Sequence, residues 1–207
     1  MKEEGKGLIV SVSGPSGVGK GTVISRVREM RPGFTHSVSV TTRAPRDGEV
    51  EGVSYFFRTK EEFDRLFDEG EIIERDEFVG NYYGTPSAPL KKMSDEGKDV
   101  LLDLTVLGSL TLKEKFPDTI TIFLLPPSME ELERRLRSRG TENEETIQRR
   151  LLMARGEIGK ASGFDYVVVN SDVDEAAKQI IGITEAESIK YSRNNGIEKV
   201  LLDNGAI

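Results

Sequence analysis

Apolar positions along the chain follow two rhythms, one of short buried runs and one of helical faces. Leu8 to Ser13 is a run of the first kind, and after it Val23, Ile24, Val27 and Met30 recur on one helical face until Pro32-Gly33 stops the helix. From Pro86 onward the two rhythms alternate. They predict a helix to about Asp95, a strand over Val100–Leu104, a helix to Phe116 and a strand over Ile120–Leu125. Ser128 and Glu131 then cap a helix carrying Leu132 and Leu136, and a further helix carries Ile147, Leu151, Ala154 and Ile158. A strand over Tyr166–Val169 and a helix with Ala176, Ala177, Ile180 and Ile181 close the series. Such crossover units predict an α/β fold, a parallel sheet flanked by helices.

Residues 37–85 break this rhythm. Ser37–Thr41 alternates, Val53–Phe57 and Ile72–Phe78 read as strands, and between them Thr59 and Glu62 form a capping box ahead of Phe63, Leu66 and Phe67. Gly80-Asn81 predicts a two-residue hairpin turn leading into Tyr82-Tyr83. The segment therefore predicts a small mixed α+β insertion. The organisation expected is a core of residues 1–36 and 86–190, the insertion at 37–85, and a tail at 191–207 with a turn at Asn194–Gly196 and an apolar patch at Ile197, Val200, Leu201 and Leu202.

Composition narrows the function classes. A length of 207 residues suits one sizeable core, and 36% hydrophobic with 31% charged residues is ordinary for a soluble enzyme. No apolar run approaches a membrane span and the first residues lack a signal-peptide core, so a cytoplasmic protein is expected. A net charge of −7 argues against a partner such as a nucleic-acid polymer. The chain has no cysteine, which excludes disulfides and thiolate chemistry, and its single histidine, His36, is expected at a surface loop. Monomer and homo-oligomer both stay open.

The candidate chemistry sits where the first strand meets the first helix. Gly14-Pro15-Ser16-Gly17-Val18-Gly19-Lys20-Gly21-Thr22 has the spacing of a P-loop, whose backbone N–H groups turn toward phosphate oxygens while the lysine adds a movable charge. Gly21 follows the lysine where the general motif has a hydroxyl, and the hydroxyl arrives one place later as Thr22. Arg43 and Arg46 flank Pro45 in the insertion, and arginines crowd both sides of Gly140. A solvated helical face explains the latter pattern, and so does an arginine-bearing lid over about residues 139–155 that covers the polyphosphate. Asp103, ending a core strand, is the candidate for ordering magnesium together with Thr22.

The segments GPSGVGKGT, SVSVTTRAPRDGE, GNYYGTP, RGTENEETIQRRL and VVVNSD together resemble the guanylate kinases over roughly residues 8 to 186. The resemblance implies the P-loop kinase fold and transfer of the γ-phosphoryl group of ATP to GMP with Mg2+. It places the phosphates of ATP on Gly14 to Thr22 and Asn170 near the adenine. Arg43, Arg46, Tyr55 and Tyr83 match residues that grip the GMP phosphate, and Ser39, Glu74 and Thr85 match guanine contacts. Arg135, Arg139 and Arg150 fall on lid arginines. Thr105 stands where the family commonly has a second guanine-binding aspartate. A partner-binding module of the same fold and a kinase for another monophosphate remain the alternatives.

Overall fold

The computed structural model describes residues 6–78, 80–138 and 143–204. Its elements run, in chain order, β1 (Ile9–Ser13), α1 (Lys20–Met30), β2 (Val40–Thr41), β3 (Phe56–Phe57), α2 (Lys60–Asp68), β4 (Asp76–Phe78) and β5 (Asn81–Gly84). There follow α3 (Ser87–Asp95), β6 (Val100–Asp103), α4 (Val106–Lys115), β7 (Ile120–Leu125) and α5 (Met129–Ser138). The chain ends with α6 (Glu144–Ile158), β8 (Tyr166–Val169), α7 (Val173–Ser188) and α8 (Ile197–Asn204).

Four strands form a parallel sheet in the order β6-β1-β7-β8. β1 lies at the centre and is buried along its whole length, which is why it reads as a continuous apolar run with small polar residues tucked in. Val10 and Val12 face α1 and α7, where Val23, Val27, Ala176 and Ile180 are fully buried. Ile9 faces the other side, with Leu90 of α3 and Leu112 of α4. Each such side chain taken from water contributes about 1.5–3 kcal/mol. Ser11 bonds Ser109 of α4 at 2.6 Å, so the polar residues of the central strand are satisfied inside the core. Outside β6, Thr35 makes a lone parallel bridge to Val100.

The second sheet, β3-β2-β5-β4, is antiparallel except between β2 and β3. With α2 it closes on its own apolar cluster of Val40, Phe63 and Ile72. Thr59 and Glu62 form the predicted capping box at the start of α2.

Several local expectations are corrected. Val53 is in turns rather than a strand, its N–H donating to Val50 and its side chain 69% exposed, so the strand shrinks to Phe56–Phe57. The strand predicted from Ile72 begins only at Asp76: Ile72 packs into the insertion cluster while Ile73 packs into the parallel-sheet core, and a chain bridging two cores leaves the ladder. Asn81 pairs with Phe78 and belongs to β5, so it is a strand residue and not half of a Gly80-Asn81 turn. Met30, placed on the buried face of α1, is 37% exposed at the helix end. Of the predicted lid, residues 139–142, Arg139 and Gly140 among them, lie outside the described residues; Asn143 caps α6, which is packed on α5 through Leu132, Leu136, Ile147 and Leu151.

Candidate active site

The glycine loop between β1 and α1 is held from behind. Gly17 has φ +90°, a conformation that L side chains rarely adopt, and a Cβ there would lie 2.7 Å from Leu136 of α5. Gly19 has φ +93° and caps α1 without any side-chain bond. Asn170, at the end of β8, donates from Nδ2 to the Val18 carbonyl at 2.7 Å, and Arg135 donates to the same carbonyl at 3.1 Å and to the Asn170 carbonyl at 2.9 Å. Arg135 is thus placed as a brace on the outer side of the loop, its Nε held by Glu131 at 2.7 Å. The Asn170 Oδ1 is buried with no hydrogen-bond partner among the described residues.

Inside the loop the donors are free. The N–H groups of Gly17, Gly19, Lys20, Gly21 and Thr22 have no partner among the described residues, and no acidic side chain occupies the first turn of α1. Unpaired N–H groups at the positive end of a helix dipole form an anion site. Lys20 Nζ reaches the Leu104 carbonyl at 2.5 Å and Asp103 Oδ1 at 2.9 Å, which aims it across the end of β6. Thr22 is exposed, and a Cβ on Gly21 would meet nothing within 4 Å, so packing does not dictate the missing hydroxyl. One carboxylate and one hydroxyl beside a phosphate site fit magnesium, which keeps waters and phosphate oxygens as most of its ligands.

Lys20 also lines a basin of about 620 Å³ that opens between the parallel sheet and the insertion. Ser39, Tyr55, Tyr83, Thr85, Asp103 and Thr105 line it as well, so most of the acceptor residues predicted from the sequence meet there. At its rim Arg43 lies 5.3 Å over the Tyr55 ring, and Tyr55 packs edge-on against Tyr83 at 6.0 Å. Glu49 accepts from Arg43 Nη2 at 2.7 Å and from the Arg46 N–H at 2.8 Å, fixing the arginine loop; this bond raises the Arg43 pKa and holds the Glu49 carboxyl below its usual value. The Arg46 side chain is exposed and makes no hydrogen bond or ion pair to the described residues.

Glu74, 5% exposed, does not itself line the basin, nor do Arg43 and Arg46; it lies behind Thr85 and Thr105, which do. Burial pushes its pKa up to about 7, and the Thr85 hydroxyl and N–H, which favour the charged form, offset only part of that. Thr105 caps α4 by accepting from the Gly108 N–H at 3.1 Å. A Cβ on Gly108 would sit 3.2 Å from Thr105 Oγ1 and 3.3 Å from Glu74 Oε2, so the carboxylate and the hydroxyl converge over a residue that must stay small.

Sequence reasoning missed four participants. Gly108 and Asp76 carry no local pattern; Asp76 lines the basin opposite Tyr83 and burial raises its pKa. Ser37 also lines the basin, with its hydroxyl buried and unpartnered among the described residues. The fourth is Glu157 of α6, whose Oε2 accepts from the Ser16 N–H of the loop at 3.3 Å, beside Arg150, which donates to Ser16 Oγ at 2.6 Å. Glu157 lies seven residues after Arg150, two helical turns on one face, and that spacing was its only signal. His36 is exposed, as expected, and its Nδ1 accepts from Arg28 Nη2 at 3.1 Å.

The guanylate kinase family model matches residues 6–187. The chain is 47% identical over 191 residues to the guanylate kinase of Halalkalibacterium halodurans, covering 92% of this chain and 94% of that protein. It is 48% identical over 188 residues to that of Lactococcus lactis, covering 91% and 92%. The crystal structure of guanylate kinase from Anaplasma phagocytophilum superposes with a TM-score of 0.75 at 39% identity, over 98% of this chain and 97% of that one. A P-loop facing a basin with tyrosines on its wall, an arginine stacked on them and a buried carboxyl behind Thr85 and Thr105 agrees with these likenesses, and the chain belongs to the guanylate kinase family.

Proposed function

We propose that the basin binds GMP and the glycine loop binds ATP, so that the family's ATP:GMP phosphoryl transfer takes place across Lys20. The observation that carries this reading is a basin lined by Lys20, Ser39, Tyr55, Tyr83, Thr85 and Thr105, with the buried Glu74 carboxyl directly behind Thr85 and Thr105 and Arg43 stacked over Tyr55. Guanine offers N1–H and an exocyclic amine as adjacent donors, and a carboxylate accepts both; adenine would meet the same carboxylate with a lone pair. Ser39, Thr85 and the Thr105 hydroxyl complete the base pocket, while Arg43, Arg46, Tyr55 and Tyr83 hold the phosphate.

Two polyanions must meet, so alignment and neutralisation are the chemical task. A phosphate monoester with its second pKa near ~6 is mostly dianionic at neutral pH and needs no general base. Lys20 stabilises the β/γ end of the donor, and Arg150 with Arg139 meets charge developing on the transferred group. Arg135 serves by bracing the loop, and Asn170 is assigned to the adenine side of the donor. Magnesium, held by the donor phosphates with Thr22 and through water with Asp103, supplies further neutralisation. A cytoplasmic setting goes with these substrates.

The test is a panel of monophosphate acceptors offered with ATP in a coupled assay of ADP formation. GMP should exceed AMP by about 10⁴ in kcat/KM, the scale on which a site built to bond a substrate donor rejects its analogue. Equal use of AMP overturns the base assignment, and no ADP formation with any acceptor overturns the assignment of the reaction to this basin.

A further inference from the structure

The Ser16–Glu157 contact puts an anion where the loop would receive another. From Ser16 to Thr22, the described residues give a partner to only two backbone N–H groups: Val18, which donates to the Pro15 carbonyl, and Ser16, which donates to Glu157. Glu157 belongs to α6, which the α5–α6 cluster ties to the helix lying against Gly17. The same helix brings Arg150 onto the Ser16 hydroxyl through both Nη2, at 2.6 Å, and Nε, at 3.2 Å. Ser16 is therefore held twice by α6, its hydroxyl by a cation and its N–H by a carboxylate. The cation is compatible with a polyphosphate in the loop. The carboxylate is not.

We propose that Glu157 is a positioning residue that serves the phosphate loop as an internal anion at the Ser16 N–H and is expelled when the phosphates of ATP arrive. This rests on the assignment of ATP to the loop. A carboxylate and a phosphate at neighbouring N–H groups repel, and Arg150 beside them offsets part of this. Binding then replaces one anion by another, and the part of the donor's binding energy spent on the exchange sets the affinity for ATP. The exchange also couples the loop to α6: the empty loop seats the helix through Glu157 and Arg150 together, and the loaded loop retains only the arginine.

The decisive variant is Glu157→Gln, which keeps an amide oxygen for the Ser16 N–H and removes the charge. ATP and ADP, each with magnesium and without GMP, are titrated calorimetrically into the unmodified protein and the variant, and KM for ATP and for GMP is measured in the coupled assay. The expected result is about tenfold tighter nucleotide binding and a correspondingly lower KM for ATP, with KM for GMP unmoved. A residue that merely shapes the loop for phosphate predicts the reverse, so unchanged or weaker binding by a variant of normal melting temperature overturns the proposal. Should Glu157→Gln not fold, Glu157→Asp, whose shorter carboxylate loses the contact, must also bind more tightly. Failure of the unmodified protein to bind ATP would instead remove the assignment of the loop itself, which separates the two outcomes.

Discussion

On the proposed assignment, Glu74 couples guanine binding to the loss of a proton. Its carboxyl has a pKa of about 7 in the folded chain against an ordinary value of 4.5, because burial penalises the charge. Guanine's two donors require the charged form, so binding draws on the ionised fraction alone. At about pH 6 that fraction is roughly one in ten, and at about pH 8 roughly nine in ten, so guanine affinity should fall about tenfold between them. The GMP phosphate itself titrates near ~6, so the clean probe is guanosine, whose affinity is measured by its competition with GMP. Glu74→Gln should bind weakly and without this slope, at a cost of about 10² or more in kcat/KM for GMP. Stability moves the other way. A carboxyl whose folded pKa is raised binds more protons folded than unfolded, so stability falls as pH rises from about 4.5 to about 7, by up to about 3 kcal/mol for a shift of this size. Glu74→Gln should recover part of that at about pH 8 and none at about pH 4 when melting curves are compared. A guanosine affinity independent of pH, or a slope that survives in Glu74→Gln, would refute the reasoning.

Three other outcomes are expected. Lys20→Met should retain its fold and lose about 10² to 10⁴ in kcat, since a charge aimed at the transferring group is gone; unchanged turnover in a folded variant counts against the loop assignment. Gly108→Ala should lower stability by about 1 kcal/mol or more in thermal unfolding, the overcrowding outweighing the gain in helix propensity, while raising KM for GMP and not for ATP, because the new methyl sits against both Glu74 and Thr105. Truncation after Ile189 removes α8, with Val200, Leu201 and Leu202 mostly exposed, and the bond from Arg193 to the Asp118 carbonyl at 2.7 Å; melting should occur a few degrees lower with activity within about twofold, and a large loss of activity at an unchanged melting point would give the tail a role in the site.

Much of the parallel layer was legible because its strands obey local rules. Ile120–Leu125 and Tyr166–Val169 appear with the boundaries their apolar runs suggest, and the Thr59–Glu62 capping box is formed as written. Ser128 caps the Glu131 N–H as well, although the Glu131 side chain turns to Arg134 and Arg135 instead of back to the cap. What local pattern missed was decided at long range. Ile72 and Ile73 look like consecutive strand residues, yet each answers to a different core. Met30 keeps the helical spacing but runs past the sheet that would cover it. In the site, the loop, the basin arginines and the tyrosines follow from short motifs, whereas Glu157 meets Ser16 across 141 residues and Gly108 matters only through what lies above it.

The split between Ile72 and Ile73 also divides the acceptor site between two supports. Glu74 follows directly on the residue moored in the parallel layer, and Thr105 and Gly108 belong to that layer outright, so these members of the proposed base pocket share the frame of Lys20. Ser39 and Thr85, with Arg43, Tyr55 and Tyr83, ride on the second sheet. On the proposed assignment the distance between the two frames is then a caliper for the acceptor: a purine monophosphate meets both sets of groups only at one opening. Any motion of the second sheet toward the loop therefore measures the whole length of the acceptor before its phosphate is presented to the donor.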